Sequence, residues 1–310
     1  MDRPPIIIIA GPTAIGKTAG AIELCRRFSG EVIGADSMQI YRHMDIGTAK
    51  PTPAERACVP HHLIDIIPPD APFDAARYAS AARRIIADLH RNRRLPFVVG
   101  GTGLYIKALT RGIFQMPPID PAVRQRLKKT ADEEGSAVLH RRLVQIDPGA
   151  AEKIHPNDTY RLLRALEVLE GTGRTISDLQ RNHRFGESPF LALKFGLSME
   201  RERLYDRIDR RVDAMMDAGF PEEVRRLLAM GYGPELKSMQ SIGYRHMTDY
   251  LQGRLPLAEA VDTLKRDTRR YAKRQMTWFR ADPEIGWTPP QQIDEMAERI
   301  KKFLETASNM

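Results

Sequence analysis

The chain is short of cysteine and tryptophan, with two of each in 310 residues. Cys25 and Cys58 stand far apart and flank no metal-type spacing, which excludes a disulfide-stapled scaffold and fits free thiols in a reducing compartment. Cys58-Val-Pro-His61-His62 reads as a surface loop, because no second ligand cluster accompanies it. No apolar run approaches the ~20 residues of a membrane span, and the opening MDRPP has no cationic, apolar leader pattern, so a cytoplasmic location without a membrane partner is expected. Internal repeats and low-complexity tracts are also missing, which excludes solenoid and linker architectures. What remains is an ordinary globular composition, 42% hydrophobic, with a net charge of +8 that suits a polyanionic partner.

The most informative stretch is IIIIAGPTAIGKT, residues 6–18. Four β-branched residues lead into Gly11, Pro12, Thr13, Ala14, Ile15, Gly16, Lys17 and Thr18, and a helical pattern follows. Strand, glycine-rich loop and helix in that order form a phosphate loop. The glycines let backbone N–H groups converge on an anion, the helix start adds a favourable dipole, Lys17 brings a point charge, and Thr18 can hold Mg²⁺. The motif alone does not name the phosphate ligand.

Residues 1–112 alternate strand and helix patterns: strands at Ile6–Ala10, Glu31–Ala35 and Pro96–Val99, and helices reaching Phe28, spanning Asp74–Arg93, and running from about Leu104 to Thr110. Alternation of this kind predicts an α/β fold, a P-loop parallel-sheet core with helices on both faces. The alternation stops at Gly112–Pro121, and residues 113–197 read as an inserted helical subdomain. Phe195–Met199 reads as a return to the sheet, and residues 198–310 as that return followed by C-terminal helices.

Ligands of such sheets sit beyond the carboxyl ends of the strands, where three segments fall: the phosphate loop, the run beginning at Asp36, and GGTGLY at 100–105. Asp36, followed by Ser37, Met38 and Gln39, is either a local cap or a general base beside the phosphate ligand. Gly100-Gly101-Thr102 is either a tight turn or a second grip on a diphosphate. The strand before Gly100 ends in no carboxylate for activating water, and Asp65 is a poor substitute, so the usual nucleotide-hydrolysis set is incomplete. In residues 201–219, Leu204, Ile208, Val212 and Met215 form an apolar stripe that Arg211 borders while Arg210 points away. Arg211 is thus held against the protein body, as a structural ion-pair partner or as a group aimed at the site.

A helical wheel of 261–279 sets Val261, Leu264, Thr268, Tyr271, Gln275 and Trp278 on one side. Arg266, Arg269, Arg270, Lys273, Arg274 and Arg280 fall on the other. A one-sign stripe points to phosphate contacts, with an ion-paired face between elements as the competing reading. Such a stripe carries affinity without sequence information, and Ser238–Met247 is the candidate for base readout.

In order along the chain, GPTAIGKT, GADSMQIYRHMDIGTAKP, HHLIDI, VVGGTGLYIKAL, HPNDTYRLLRALEV, RIDRRVDAMMDAG, SIGYRHM and TRRYAKRQMTWFR resemble the tRNA dimethylallyltransferases, also called tRNA isopentenyltransferases. The resemblance implies that the loop binds the diphosphate of dimethylallyl diphosphate with Mg²⁺, and that the acceptor is N6 of the adenosine 3′ of the anticodon, position 37. It implies Asp36 as the general base, with Thr102 and Arg211 steadying the diphosphate and the reacting groups. It assigns tRNA contacts to Asp36, Ser37, Met38, Gln39 and Thr102; to Arg124, Tyr160, Arg161, Leu162, Leu163 and Arg164; to Gln240, Ser241, Ile242, Gly243, Tyr244 and Arg245; and to Arg270, Lys273 and Arg274. The helical insert resembles the part that clamps the anticodon stem-loop, and a monomer is expected. Ile15 stands where the family often has Ser or Val, and His43 where Gly is common. The rival readings are prenylation of free adenine nucleotides, a P-loop small-molecule kinase, and an ATP-driven RNA-binding protein.

Overall fold

The structure, a computed structural model, describes residues 3–113, 119–183 and 188–309, and for 182 and 183 the backbone alone. Residues 114–118, half of the break expected at Gly112–Pro121, and the first two residues of MDRPP lie outside the described residues. The chain divides into two compact units, Met1–Thr110 with Ser188–Met310, and Arg111–Glu187.

The first unit begins with β1 (Pro5–Ala10), α1 (Lys17–Arg27), β2 (Gly30–Gly34), α2 (Pro53–Cys58), β3 (His61–His62), α3 (Ala75–Arg91), β4 (Leu95–Gly100) and α4 (Gly103–Arg111). Ile6 to Ile9 are all buried, which is why β1 is apolar without alternation: a central parallel strand is covered on both faces. Burying each of those side chains contributes about 1.5–3 kcal/mol before entropy is counted. Asp74 starts α3 by accepting the amides of Ala76 (3.0 Å) and Arg77 (2.9 Å).

The second unit is helical: α5 (Pro121–Glu134), α6 (Ser136–Ile146), α7 (Pro148–Ala151), α8 (Thr159–Thr172) and α9 (Ile176–His183). Its core joins Leu127, Leu139, Leu143, Leu162, Leu163 and Leu166. The chain then re-enters the first unit as β5 (Leu191–Leu197), α10 (Arg201–Asp217), α11 (Phe220–Ala229), α12 (Tyr244–Leu251), α13 (Leu257–Arg280), β6 (Ile285–Thr288) and α14 (Ile293–Ser308).

All six strands are parallel, in the order β3-β2-β4-β1-β5-β6. The three N-terminal strands form within a residue of their expected bounds, whereas β5 overlaps the expected Phe195–Met199 only through Leu197, having begun at Leu191. Two strands depart from the sequence reading. His61-His62 is an edge strand rather than a loop, with His62 Nε2 2.7 Å from Glu31 Oε2, and Ile285–Thr288 adds a sixth strand where helices alone were expected. Among the described residues no helix is long and apolar enough to cross a membrane, and no group of three or more His, Cys, Asp or Glu is arranged to hold a metal ion.

Candidate active site

The chain leaves β1 toward β2 on one side and pairs β1 with β5 on the other, so the carboxyl end of β1 is the switch point of the sheet. The phosphate loop sits there. Gly16 is the N-cap of α1 at φ 103°, a backbone shape that disfavours other residues, and neither a capping side chain nor an acid occupies the first turn. The opening amides of α1 thus meet no competing anion from their own helix. Ala14 is also held in the left-handed region, at φ 63°, a strained conformation of the kind that collects at binding sites. Pro12 and Ile15 are buried, and Ile15 packs into the sheet core, so these two offer backbone rather than side chains.

Lys17 Nζ donates to the carbonyls of Gly11 (3.0 Å) and Pro12 (2.8 Å). Burial brings its pKa down to about 8, against the pull of Asp36 and with the push of Arg211. Helix α10 supplies two guanidiniums: Arg211 Nη1 donates to Thr13 Oγ1 (3.2 Å) and Arg207 Nε to the Ala14 carbonyl (2.8 Å). Arg210, one residue away, is exposed and paired with Asp206. Of the two readings open for Arg211, the structure favours the one that aims it at the site.

Asp36 follows β2. Its Oδ1 accepts the amides of Met38 (2.8 Å) and Gln39 (3.3 Å), so it does cap the turn after the strand. Both bonds use the same oxygen, and Oδ2 has no hydrogen-bond partner among the described residues. Cap and base are therefore compatible roles for one carboxylate. Thr102 Oγ1 accepts the Ser37 amide at 3.0 Å, which joins the β4 turn to the Asp36 turn. Gln39 Nε2 donates to the carbonyls of Thr48 (3.2 Å) and Ala49 (3.1 Å).

Two adjoining cavities meet at these residues. The larger, about 590 Å³, is lined by Lys17, Lys50, Arg207, Arg210 and Arg211, with Asp36 and Glu55 as its acids. The smaller, about 310 Å³, is lined by Met38, Ile208, Val212, Met215, Ile242, Leu264 and Tyr244. Thr13, Asp36, Thr48, Arg211 and Tyr271 line both. A cationic chamber thus opens into an apolar one, with a carboxylate at the junction.

The other expected contacts divide. Ser37, Met38, Ser241, Ile242, Gly243, Tyr244 and Arg274 line the smaller cavity. Tyr244 is fully buried against Phe220, its hydroxyl donating to Glu223 at 2.6 Å, so it shapes the wall rather than a surface. Glu223 also accepts the amides of Asp45, Ile46 and Gly47, which fixes the loop along that wall. Gln240 and Arg245 are exposed, Arg245 bonding Asp267. On α13, Arg270, Lys273 and Arg274 are exposed, and Lys273 and Arg274 have no acidic partner among the described residues. Arg269 departs from the one-sided stripe: it is locked to both oxygens of Asp209 on α10 (2.5 and 2.7 Å), the ion-paired alternative. Trp278, placed on the buried side of the wheel, is exposed at 41%.

In the helical unit, Arg124 lies 5.6 Å above the exposed Tyr160 ring and, like Arg164, bonds Glu167, while Arg161 pairs with Asp158. Leu162 and Leu163 depart from their neighbours: α8 turns that face inward, and their side chains are buried in the core of this unit, so no side-chain surface is offered to RNA there.

Three site residues were not singled out from sequence. Arg207 precedes Arg211 by one helical turn, a spacing that signals a shared face. Tyr271, its phenol pushed up by burial and by Asp36, lines both cavities. Gln275 is a polar group on the buried stripe of α13 that accepts the Thr13 amide and donates to the Gly101 carbonyl, each at 2.9 Å. Its place on that stripe was the available signal.

Comparison with known proteins agrees with this geometry. A family model described as IPP transferase matches residues 39–282, and one described as isopentenyl transferase matches residues 4–64. The chain is 57% identical over 296 residues to the tRNA dimethylallyltransferase of Syntrophobacter fumaroxidans, covering 96% of this chain and 86% of that one. With the enzyme of Desulfosudis oleivorans it shares 54% over 303 residues, 97% and 96% of the two chains. Among solved structures, the full-length tRNA isopentenylpyrophosphate transferase of Bacillus halodurans superposes with a TM-score of 0.74 at 43% identity, covering 99% of this chain and 98% of that one. A eukaryotic dimethylallyltransferase solved acting on tRNA gives 0.77 at 29% identity, covering 94% and 75%.

Proposed function

The chain belongs to the IPP transferase family, and on that premise we propose that it transfers the dimethylallyl group of dimethylallyl diphosphate to N6 of the tRNA adenosine at position 37, immediately 3′ of the anticodon. The observation that carries this reading is the position of Asp36, shared by the cationic and apolar chambers. In the reaction the N6–C1 bond forms as the C1–O bond to diphosphate breaks. The electron pair leaves with the diphosphate, and the N6 proton passes to the Asp36 carboxylate. Lys17, Arg207 and Arg211 take up the negative charge that develops on the leaving group. An exocyclic aryl amine is a weak nucleophile, which is why a fixed carboxylate matters. The apolar chamber accommodates a base drawn out of its stack, or the prenyl chain beside it.

Mg²⁺ fits this donor set. It keeps several waters and typically takes one or two protein ligands together with phosphate oxygens, so the Thr18 hydroxyl suffices without a carboxylate cage. When bound it supplies further charge neutralisation on the diphosphate. The exposed Lys273 and Arg274, with Arg270 beside them, give RNA phosphates a docking edge on α13. Arg124, Tyr160, Arg161 and Arg164 give the helical unit a surface of its own for the anticodon stem-loop. The protein is proposed to work as a cytoplasmic monomer.

The test supplies radiolabelled dimethylallyl diphosphate, Mg²⁺ and either unmodified tRNA or AMP, with an ATP-hydrolysis control. Label on tRNA is the expected outcome. Label on AMP alone would assign the enzyme to free nucleotides, and phosphate release from ATP without transfer would return it to the kinase or ATPase class.

A further inference from the structure

One side chain joins the two halves of the site. Gln275 Oε1 accepts the Thr13 amide of the phosphate loop, and Nε2 donates to the Gly101 carbonyl of the β4 turn. From that turn, Thr102 Oγ1 accepts the Ser37 amide at 3.0 Å, next to Asp36. Three hydrogen bonds therefore run from the diphosphate cradle to the carboxylate through a single amide. Gln275 is buried, and Tyr271, one turn earlier on α13, lines the same cavity as Gln275. The fit leaves no slack on the turn side: a Cβ on Gly101 would meet Gln275 Nε2 at 2.2 Å and the Gly11 carbonyl at 3.3 Å.

The chemistry narrows what can stand there. The position needs an acceptor and a donor on two separate atoms of one neutral group, which an amide provides; a hydroxyl carries both on a single atom, an ionised carboxylate only accepts, and a hydrocarbon does neither. A cation would compete for the anion, and a carboxylate would repel it. Prenyl transfer to an amine places the base and the leaving group on either side of one carbon, so their separation has to be held closely.

We infer that Gln275 is a positioning residue that sets the distance between the diphosphate cradle and Asp36, acting through Thr13 on one side and Gly101-Thr102 on the other. The inference rests on the proposed prenyl transfer and adds to it a residue of the cationic cavity's wall that acts through the backbone of the phosphate loop and the β4 turn. Gln275 also gives α13 two tasks: an outer edge for RNA phosphates and an inner stripe that trues the site.

The experiment compares wild type with Q275M, which conserves volume and removes both hydrogen bonds, and with G101A, which displaces the same amide by a separate route. Inorganic pyrophosphate binding, the KM for dimethylallyl diphosphate, kcat and the tRNA Kd are measured, with thermal melts to confirm folding. Loss of the two bonds is expected to weaken pyrophosphate binding and raise the donor KM about tenfold, and to lower kcat by at least as much. The tRNA Kd should stay within about twofold, because the exposed cations of α13 are untouched. Combining G101A with Q275M should add little to either single change, since both break one linkage. Should Q275M not accumulate in folded form, Q275E takes its place; it keeps the acceptor for Thr13 but opposes the Gly101 carbonyl, and the same rise is expected.

Folded variants with unchanged pyrophosphate binding and donor kinetics would overturn the inference. So would a loss confined to tRNA binding, or full additivity of the double variant. A wild-type protein that binds pyrophosphate yet prenylates no tRNA would overturn the proposed function instead, while the pyrophosphate arm would still judge Gln275.

Discussion

Arg211 on α10 holds the phosphate loop by its side chain: the guanidinium Nη1 donates to the Thr13 hydroxyl at 3.2 Å, while the rest of the group borders both cavities. Burial, with Arg207 beside it, lowers its pKa from the usual guanidinium value, and Asp36 partly offsets that. An ammonium in its place would keep charge but lose the planar fork. Arg211→Lys is expected to lower kcat about a hundredfold with tRNA affinity retained, as read by steady-state transfer and filter binding. Wild-type kcat in this variant would reduce Arg211 to a loop brace.

Asp36→Ala should leave tRNA binding within about twofold and reduce prenyl transfer by a factor on the order of 10²–10⁴, the usual contribution of a general base. Asp36→Asn separates the two roles of the residue. It preserves an oxygen to accept from Met38 and Gln39 but cannot take a proton, so it should be as inactive as the alanine variant while melting closer to wild type. An active Asp36→Asn enzyme would remove the carboxylate from the chemistry.

The cations of α13 should separate by partner. Lys273→Ala and Arg274→Ala are each expected to lower the slope of log K against log salt for tRNA by about 0.7–0.9, one phosphate contact apiece. Arg269→Ala should leave that slope alone and instead cost about 1 kcal/mol in urea denaturation, because its partner is Asp209. A slope that falls for Arg269 as much as for Lys273 would restore the undivided stripe.

Asp65, the nearest thing to a hydrolytic acid in the sequence, braces the fold. Burial disfavours its charge, but hydrogen bonds from Lys50 and Arg56 outweigh that and hold its pKa below 3.8. A carboxyl depressed on folding stabilises the protein above its unfolded pKa and loses that contribution as pH falls through the folded one. Asp65→Asn should thus cost about 1–2 kcal/mol near neutrality, and the difference from wild type should shrink below pH ~4. A gap that stays constant with acid in denaturation curves would argue against the ion pairs as its source.

Sequence sufficed where chemistry is local. The phosphate loop, Asp36 and the Thr102 turn each carry their signal within a few residues, and β1 declares its burial through four consecutive isoleucines. The wheel that separated Arg211 from Arg210 worked for burial because α10 has one buried face, although the exposed Arg210 still borders the larger cavity. It failed on α13, where partners on other elements decide: Asp209 claims Arg269, and Gly103 leaves room for Trp278 to lie over the start of α4 from a half-open position. Leu162 and Leu163 sit in a motif whose neighbours do face outward, and motif matching cannot tell an outward residue from an inward one. His43 shows a gain in the other direction. Its φ of 66° accounts for a position at which glycine is at ease. β3 and β6, of two and four residues, are too short for any periodic pattern and exist only because a neighbour offers its edge.

Thr13 and Gln275 are 262 residues apart, and β1 cannot pair with β5 until the whole helical insert has been made. At a synthesis rate of about 5–20 residues per second, the phosphate loop waits roughly 13–50 s on the ribosome for the glutamine that braces it. For the part of that interval before β5 is made, β1 has one bare edge, the kind of exposed edge that chaperones cover. A chain ending between α1 and α13 carries the phosphate loop without the glutamine that braces it.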